Sequence, residues 1–177
     1  MSVRPLVSHL DPLLRTPSEP VDPRAPEVRQ VVQDLFDTLA TQKGVAMAAP
    51  QIGVSMRLFV FDLKRPREKG GPPTRGLLIN PAIERRLGSV AVIEGCLSFP
   101  GLDLSIRRPE GVVVSGYDLD GKKVVLEGGG LFARMVEHET DHLDGRLLPD
   151  RQNALAALLS YWRRKRWEER VRRIRDS

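Results

Sequence analysis

Between Val28 and Leu39 the apolar residues recur at helical spacing: Val28, Val31, Val32, Leu35, Phe36 and Leu39 stand one, three or four apart. Such a stripe covers one face of an amphipathic helix. The helix is predicted over residues 26–42, with Pro26 in its first turn and Gly44 just past its end. Ahead of it, residues 1–24 hold five of the fourteen prolines and read as an extended, turn-rich arm. The period then shortens. Arg57–Leu63, Arg75–Asn80, Leu102–Arg107, Val112–Tyr117 and Lys123–Leu126 are short and β-rich. Asp120-Gly121 between the last two is a hairpin signal. Residues 64–74 are polar, with three prolines and adjacent glycines, and read as a surface loop.

Helical spacing returns at Leu131–Leu143, with Gly129-Gly130 before it and Gly145 as its stop. A last helix is predicted over residues 152–175, with one stripe of Leu155, Leu158, Leu159 and Trp162 continued by Trp167, Val171 and Ile174. Strands and helices do not alternate regularly, which predicts the α+β class. The expected architecture is short antiparallel β-sheets around a central helix at 131–143, with an N-terminal amphipathic helix and a C-terminal helix. No internal repeat is visible, and residues 1–177 are expected to form a single domain.

Composition narrows the setting. The longest apolar runs fall far short of the roughly 18–20 residues a membrane helix needs, and no apolar signal stretch precedes Asp11. A single cysteine forbids an internal disulfide. A reducing, cytoplasmic setting is therefore expected. The net charge of +5 is uneven: residues 151–177 carry nine Lys/Arg against three Asp/Glu, and the rest of the chain is close to neutral. A basic helix at 152–177 points to an anionic partner or to a solvated face.

His138-Glu139-Thr140-Asp141-His142 has the form HExxH. On a helix, positions i and i+4 differ by about 40° in azimuth, so both imidazoles point the same way and can bind one divalent ion. Glu139 then stands beside a water on that ion and can take its proton. A catalytic site of this kind has three protein ligands and one open position. The long protease pattern HExxHxxGxxH would place its third histidine where Leu148 stands, although Gly145 occupies the expected glycine. Downstream Glu168 and Glu169 lie far along the basic helix. Cys96 is the other metal-binding side chain available, although on its own it reads rather as a buried inert thiol.

Three stretches together resemble the peptide deformylase family. Gly44 to Gln51 (GVAMAAPQ) is similar to the family's GxGxAAxQ, Glu94 to Ser98 is EGCLS, and His138 to Leu143 matches HExDH followed by Leu. Leu78-Ile79-Asn80-Pro81 and Asp11-Pro12-Leu13-Leu14-Arg15 are also similar, so the resemblance spans nearly the whole chain. It implies a metal-dependent hydrolase that removes the N-formyl group from the initiator methionine of nascent polypeptides. It implies one divalent ion on Cys96, His138 and His142, natively Fe(II), with Zn, Ni or Co as substitutes. Metal-bound hydroxide would attack the formyl carbon, with Glu139 as general base and then acid. The side-chain amide of Gln51 and the backbone N–H of Leu97 would stabilise the oxyanion. Val45, Ala46 and Gly95 would pair with the peptide backbone as an added strand. Gly44, Ile93, Leu131 and Met135 are the candidates for the methionine pocket. Asp141 with Arg108 is the candidate outer support of the histidines.

The chain departs from the family pattern at Ala46, where glycine is usual, and at Glu137, where glutamine is usual. A carboxylate at 137 is expected to act on Glu139. The aromatic-flanked cluster Trp162-Arg163-Arg164-Lys165-Arg166-Trp167 implies the ribosome as a partner of the last helix, by family resemblance. The alternative reading is a catalytically weak relative that binds ribosomes or RNA through that helix. The sequence leaves monomer and homodimer both open.

Overall fold

The computed structural model describes residues 2–64 and 71–175, apart from the side chains of Trp162, Arg163, Arg172, Ile174 and Arg175. Most of the predicted loop 64–74, and Trp162 and Ile174 of the last stripe, therefore lie outside the described residues. Three helices are described: α1 over Pro26–Ala40, α2 over Leu131–Leu143 and α3 over Ala154–Arg175. The strands are β1 (Ala46–Ala48), β2 (Leu58–Asp62), β3 (Arg75–Leu87), β4 (Val90–Cys96), β5 (Phe99–Arg108), β6 (Gly111–Tyr117) and β7 (Lys123–Gly129). One antiparallel sheet has the order β1-β2-β3-β6-β7, and β4 with β5 forms a separate two-stranded sheet. This is the α+β architecture that the changes of period predict.

The run Leu58–Phe61 is apolar without alternation because both sides of β2 are covered. Phe59 and Phe61 pack toward α2 with Phe132, Ala133 and Val136. Leu58 and Val60 pack toward α1 with Val28, Leu35 and Leu39. β1 divides in the same way, with Ala46 and Ala48 on the α2 side and Met47 on the α1 side. The sheet is thus clamped between two helices, and α2 has its apolar face fixed against it.

Glycines set both ends of α2. Gly130 (φ +57°) precedes it and Gly145 (φ +69°) follows it. A Cβ on Gly145 would stand 2.6 Å from the Arg15 carbonyl oxygen, so a side chain there would displace the N-terminal arm.

The strands β1 and β4 are not expected from the sequence, β5 begins earlier than expected, at Phe99, and two further differences concern β3 and α3. β3 continues from Arg75 to Leu87 instead of stopping at Asn80. Asn80 takes a left-handed conformation (φ +49°), and its side chain bonds both the N–H and the carbonyl of Val21, at 3.0 and 2.8 Å. The register shifts there, and the strand resumes past Pro81. The leucines of α3 are the second difference. Leu155, Leu158 and Leu159 are 65, 70 and 76% exposed, whereas Ser160 and Trp167 are buried. Residues 160 and 167 are two turns apart and fix the face that meets the body, leaving the leucines on the far side. Among the described residues, no helix is long and apolar enough to cross a membrane.

Candidate metal centre

From Gly101 onward β5 alternates strictly, burying Leu102, Leu104, Ile106 and Arg108. Arg108 therefore enters the interior as the last inward position of a strand, and a buried guanidinium requires anionic partners. It has two. Its Nε and Nη2 donate to the Glu94 carboxylate of β4 at 3.0 Å each, and its Nη1 donates to Asp141 of α2 at 2.7 Å. Arg151, from a short 3-10 turn after α2, donates to the same Asp141. Burial disfavours the charge on Arg108, but the two carboxylates outweigh it and raise its pKa.

Glu94 passes this arrangement on. Its Oε2 lies 3.0 Å from Nδ1 of His138, so the other ring nitrogen, Nε2, is the one left for a ligand role. Burial pushes the Glu94 carboxyl up, yet the hydrogen bonds from His138 and Arg108 hold it below the ordinary range. One ligand atom each from Cys96, His138 and His142 lies within 4.8 Å of the others. The Cys96 Sγ is 3.2 Å from Nε2 of His142. Burial raises the Cys96 thiol, but the imidazoles of His142 and His138 override it and hold the sulfur well below the usual thiol range. Burial lowers His138, but the hydrogen bonds of Cys96 and Glu94, with the charges of Cys96 and Glu139, carry it well above 6.5. A thiolate with two imidazoles at this spacing fits a divalent transition-metal ion, such as Fe(II), Zn(II), Ni(II) or Co(II). His138 has its outer partner, while Nδ1 of His142 is buried with none among the described residues.

Glu139 is 4% exposed, and its Oε2 has no hydrogen-bond partner among the described residues. Burial raises its pKa to about 7, against the opposing pull of the His138 and His142 rings. Glu137 does not play the part expected of it. It turns to Arg86 of β3, whose Nε donates to it at 2.6 Å. Residues 137 and 139 are about 200° apart around a helix, so their carboxylates face opposite ways.

Gln51 lies in a short 3-10 turn directly after β1. Its Oε1 accepts from the Ala48 N–H at 2.8 Å, which fixes the orientation of the amide. Its Nε2 then faces the Cys96 Sγ at 3.9 Å and the Ser98 Oγ at 3.5 Å. A donor group is thus directed at the thiolate loop.

All seven residues expected to bind substrate line one cavity of about 360 Å³: Gly44, Val45, Ala46, Ile93, Gly95, Leu131 and Met135. The same cavity reaches Gln51, Cys96, Leu97, His138 and Glu139. Ile93 stands at its rim, 70% exposed, and Ala46 is buried in the core behind it, so its methyl is accommodated by packing. A Cβ on Gly44 would lie 2.9 Å from Cδ1 of Leu97, so a side chain there would press on the end of the Leu97 side chain. His142 and the pair Asp141–Arg108 lie behind the cavity wall, with the Arg108 Nη1 2.7 Å from Asp141.

Sequence reasoning missed Glu94 as the partner of His138, Arg151 as the second partner of Asp141, and Lys43 and Arg134 on the cavity wall. Spacing held a signal for Arg134, which stands four residues before His138 on the same helix face. Glu94 could have been found from its position two residues before Cys96 on a strand, which turns both side chains the same way.

The family model described as polypeptide deformylase matches residues 3–157. The peptide deformylase of Acidothermus cellulolyticus is 44% identical over 151 residues, 85% of this chain and 79% of that one. That of Acidobacterium capsulatum is 43% identical over 155 residues, 88% and 89% of the two chains. Among solved structures, a peptide deformylase from Legionella pneumophila superposes with a TM-score of 0.84 at 32% identity, covering 99% of this chain and 98% of its own. One from Synechococcus elongatus, in complex with actinonin, gives 0.77 at 39% identity, covering 86% and 81%. With its HExxH helix, its EGCLS turn and the cavity between them, the chain belongs to the polypeptide deformylase family.

Proposed function

We propose the following division of labour for the deformylase reaction, whose substrates are formyl-methionyl peptides. Cys96, His138 and His142 would hold the divalent ion, which, when bound, lowers the pKa of a coordinated water toward 7. The peptide enters extended, its backbone pairing with Val45 and Ala46 on one side and Gly95 on the other. Backbone pairing gives affinity without reading side chains, which suits an enzyme acting on many nascent chains. The methionine side chain lies against Gly44, Ile93, Leu131 and Met135.

Glu139 takes a proton from the attacking water and holds it on its carboxylate as the oxygen bonds to the formyl carbon. Gln51 Nε2 and the Leu97 N–H donate to the formyl oxygen as its charge grows. Glu139 then gives the proton to the amine nitrogen, the C–N bond breaks, and formate leaves. Asp141 and Arg108 act through Glu94, holding the His138 ring in place. The observation supporting this most strongly is the meeting, in one cavity, of the Cys-His-His group, Glu139 and a Gln51 amide whose orientation is fixed.

The native ion is read as Fe(II), and Ni(II), Co(II) or Zn(II) are expected to substitute with different activities. The test is anaerobic release of formate from a formyl-methionyl tripeptide with each metal supplied. Formate and free amine should appear in equal amounts, and an acetylated control should not react. No formate with any of the four metals would contradict the reading.

We further propose that α3 meets the ribosome in the cytoplasm. Lys165, Arg166, Arg170 and Arg173 are exposed on it, and such a surface favours a polyanion. Co-sedimentation with ribosomes should fall steeply with salt, and salt-independent or absent co-sedimentation would contradict it. Sedimentation of the free chain decides between monomer and homodimer.

A further inference from the structure

The thiolate ligand stands on a turn that its own sequence does not hold. Leu97 and Ser98 form a two-residue loop between the paired residues Cys96 and Phe99. Two-residue hairpin loops that match strand twist need a positive φ at one or both central positions. Among the described non-glycine residues only Lys64 and Asn80 have one, so Leu97 and Ser98 do not. A loop of this kind splays its flanking strands. Consistent with that, the β4–β5 register shifts between Glu94 and Cys96, immediately before the loop. Contacts from outside the hairpin must therefore set where the sulfur points.

Gln51 supplies contact from one side, as described above. The other side is held by α3. Trp167 is 4% exposed, far along a helix whose neighbouring residues are mostly basic. Its indole Nε1 donates to the Pro100 carbonyl at 2.7 Å. Its ring lies 5.6 Å from the Phe99 ring and 4.8 Å from His9, which is itself 5.0 Å from Phe99. The N-terminal arm, the ligand hairpin and the C-terminal helix thus meet at one aromatic cluster. Trp167 also helps wall a cavity of about 700 Å³ that reaches Gly95, Cys96 and Leu97.

We propose that Trp167 is a positioning residue for Cys96: by clamping Phe99 and the Pro100 carbonyl, it holds the Leu97–Ser98 turn so that the sulfur faces the two imidazoles. This rests on Cys96 being a metal ligand, and not on the identity of the substrate. A tryptophan that merely fills the cluster would affect stability alone. A positioning tryptophan changes the bond between sulfur and metal.

The test uses the full chain loaded with Co(II), whose thiolate-to-metal absorption in the near ultraviolet reports the sulfur ligand. Trp167→Ala should alter the intensity of that band and weaken Co(II) retention against a chelator by about tenfold, the lower end of the effect seen when outer support of a metal ligand is lost. Deformylation should fall in kcat with KM nearly unchanged. Trp167→Phe, which keeps the ring contacts and loses the N–H, should restore part of each. An unaltered band with unaltered retention in Trp167→Ala overturns the proposal, whatever happens to its melting temperature.

Should Trp167→Ala fail to fold, coupling can be read in the intact protein, because linkage between two sites is reciprocal. Exchange of the Trp167 indole N–H, assigned with Trp162→Phe, should slow about tenfold when Zn(II) is added to the metal-free chain. Equal exchange with and without metal overturns the proposal. If the chain without substitution shows no thiolate band, the ligand assignment of Cys96 falls, and this proposal falls with it.

Discussion

Glu94 Oε2 and His138 Nδ1 stand 3.0 Å apart, and the same carboxylate takes two hydrogen bonds from Arg108. The ring is thereby fixed with Nε2 toward Cys96. Replacing Glu94 by Ala should weaken metal binding by about 10–100-fold. Competition with a chromogenic chelator measures this, and an affinity equal to that of the unaltered chain would show that Glu94 does not orient the ligand.

Arg108 is the hub of the buried charges, with a side chain only 2% exposed. Arg108→Met leaves both Glu94 and Asp141 short of a partner, although Arg151 still bonds Asp141. Breaking a buried pair from one side costs about 3–5 kcal/mol, and a loss near the lower end is expected because Arg151 remains. Urea unfolding of the metal-free chain reads this directly. A loss under about 1 kcal/mol would place Arg108 among ordinary surface ion pairs.

Gln51 offers a second separable effect. Gln51→Leu keeps the volume and removes both the amide donor and the Oε1 that anchors Ala48. Loss of one oxyanion donor lowers kcat by about 10²–10³-fold. Steady-state kinetics on a formyl-methionyl peptide should show that fall with KM little changed. A rise in KM at constant kcat would make Gln51 a binding residue instead.

His9 gives a dependence of stability on pH. Burial against Phe99 and Trp167 lowers its pKa below 6.5, with Glu168 pulling the other way. The folded state thus favours neutral imidazole. Its contribution is complete above the unfolded value of 6.5 and is lost as pH falls through the lower folded value. Unfolding free energies between pH 8 and 5 should diverge from those of His9→Phe as acid is added, with the His9 chain losing more. A constant difference across that range would contradict this.

The helices were the most legible elements, because their signals were redundant. At α2 an apolar stripe, the HExxH spacing and glycines at both ends agree, and the predicted bounds Leu131–Leu143 are those observed. β1 is only three residues long, and β4 ends in the ligand motif, so neither showed a run of alternation in the sequence. The extension of β3 depends on Asn80 adopting φ +49° with Val21 as its partner, a contact 59 residues away. The histidine pair could be read from its i, i+4 spacing, whereas Cys96 is read as its companion only from the resemblance of Glu94–Ser98 to the deformylase EGCLS stretch. Glu94 was legible only as a side chain turned the same way as Cys96, and Arg151 not at all, because its role is set by where strand β5 delivers Arg108. The α3 leucines misled, since an apolar stripe shows which side of a helix is greasy without showing which side meets the body.

The central claim is that Glu139 moves the proton at a metal centre held by other side chains. It is tested most directly by formate release and metal content measured together in the Glu139→Gln chain. Full metal content with formate release reduced by about 10²–10⁴-fold is the expected result. Release at the rate of the unaltered chain, with the metal still bound, would contradict the account.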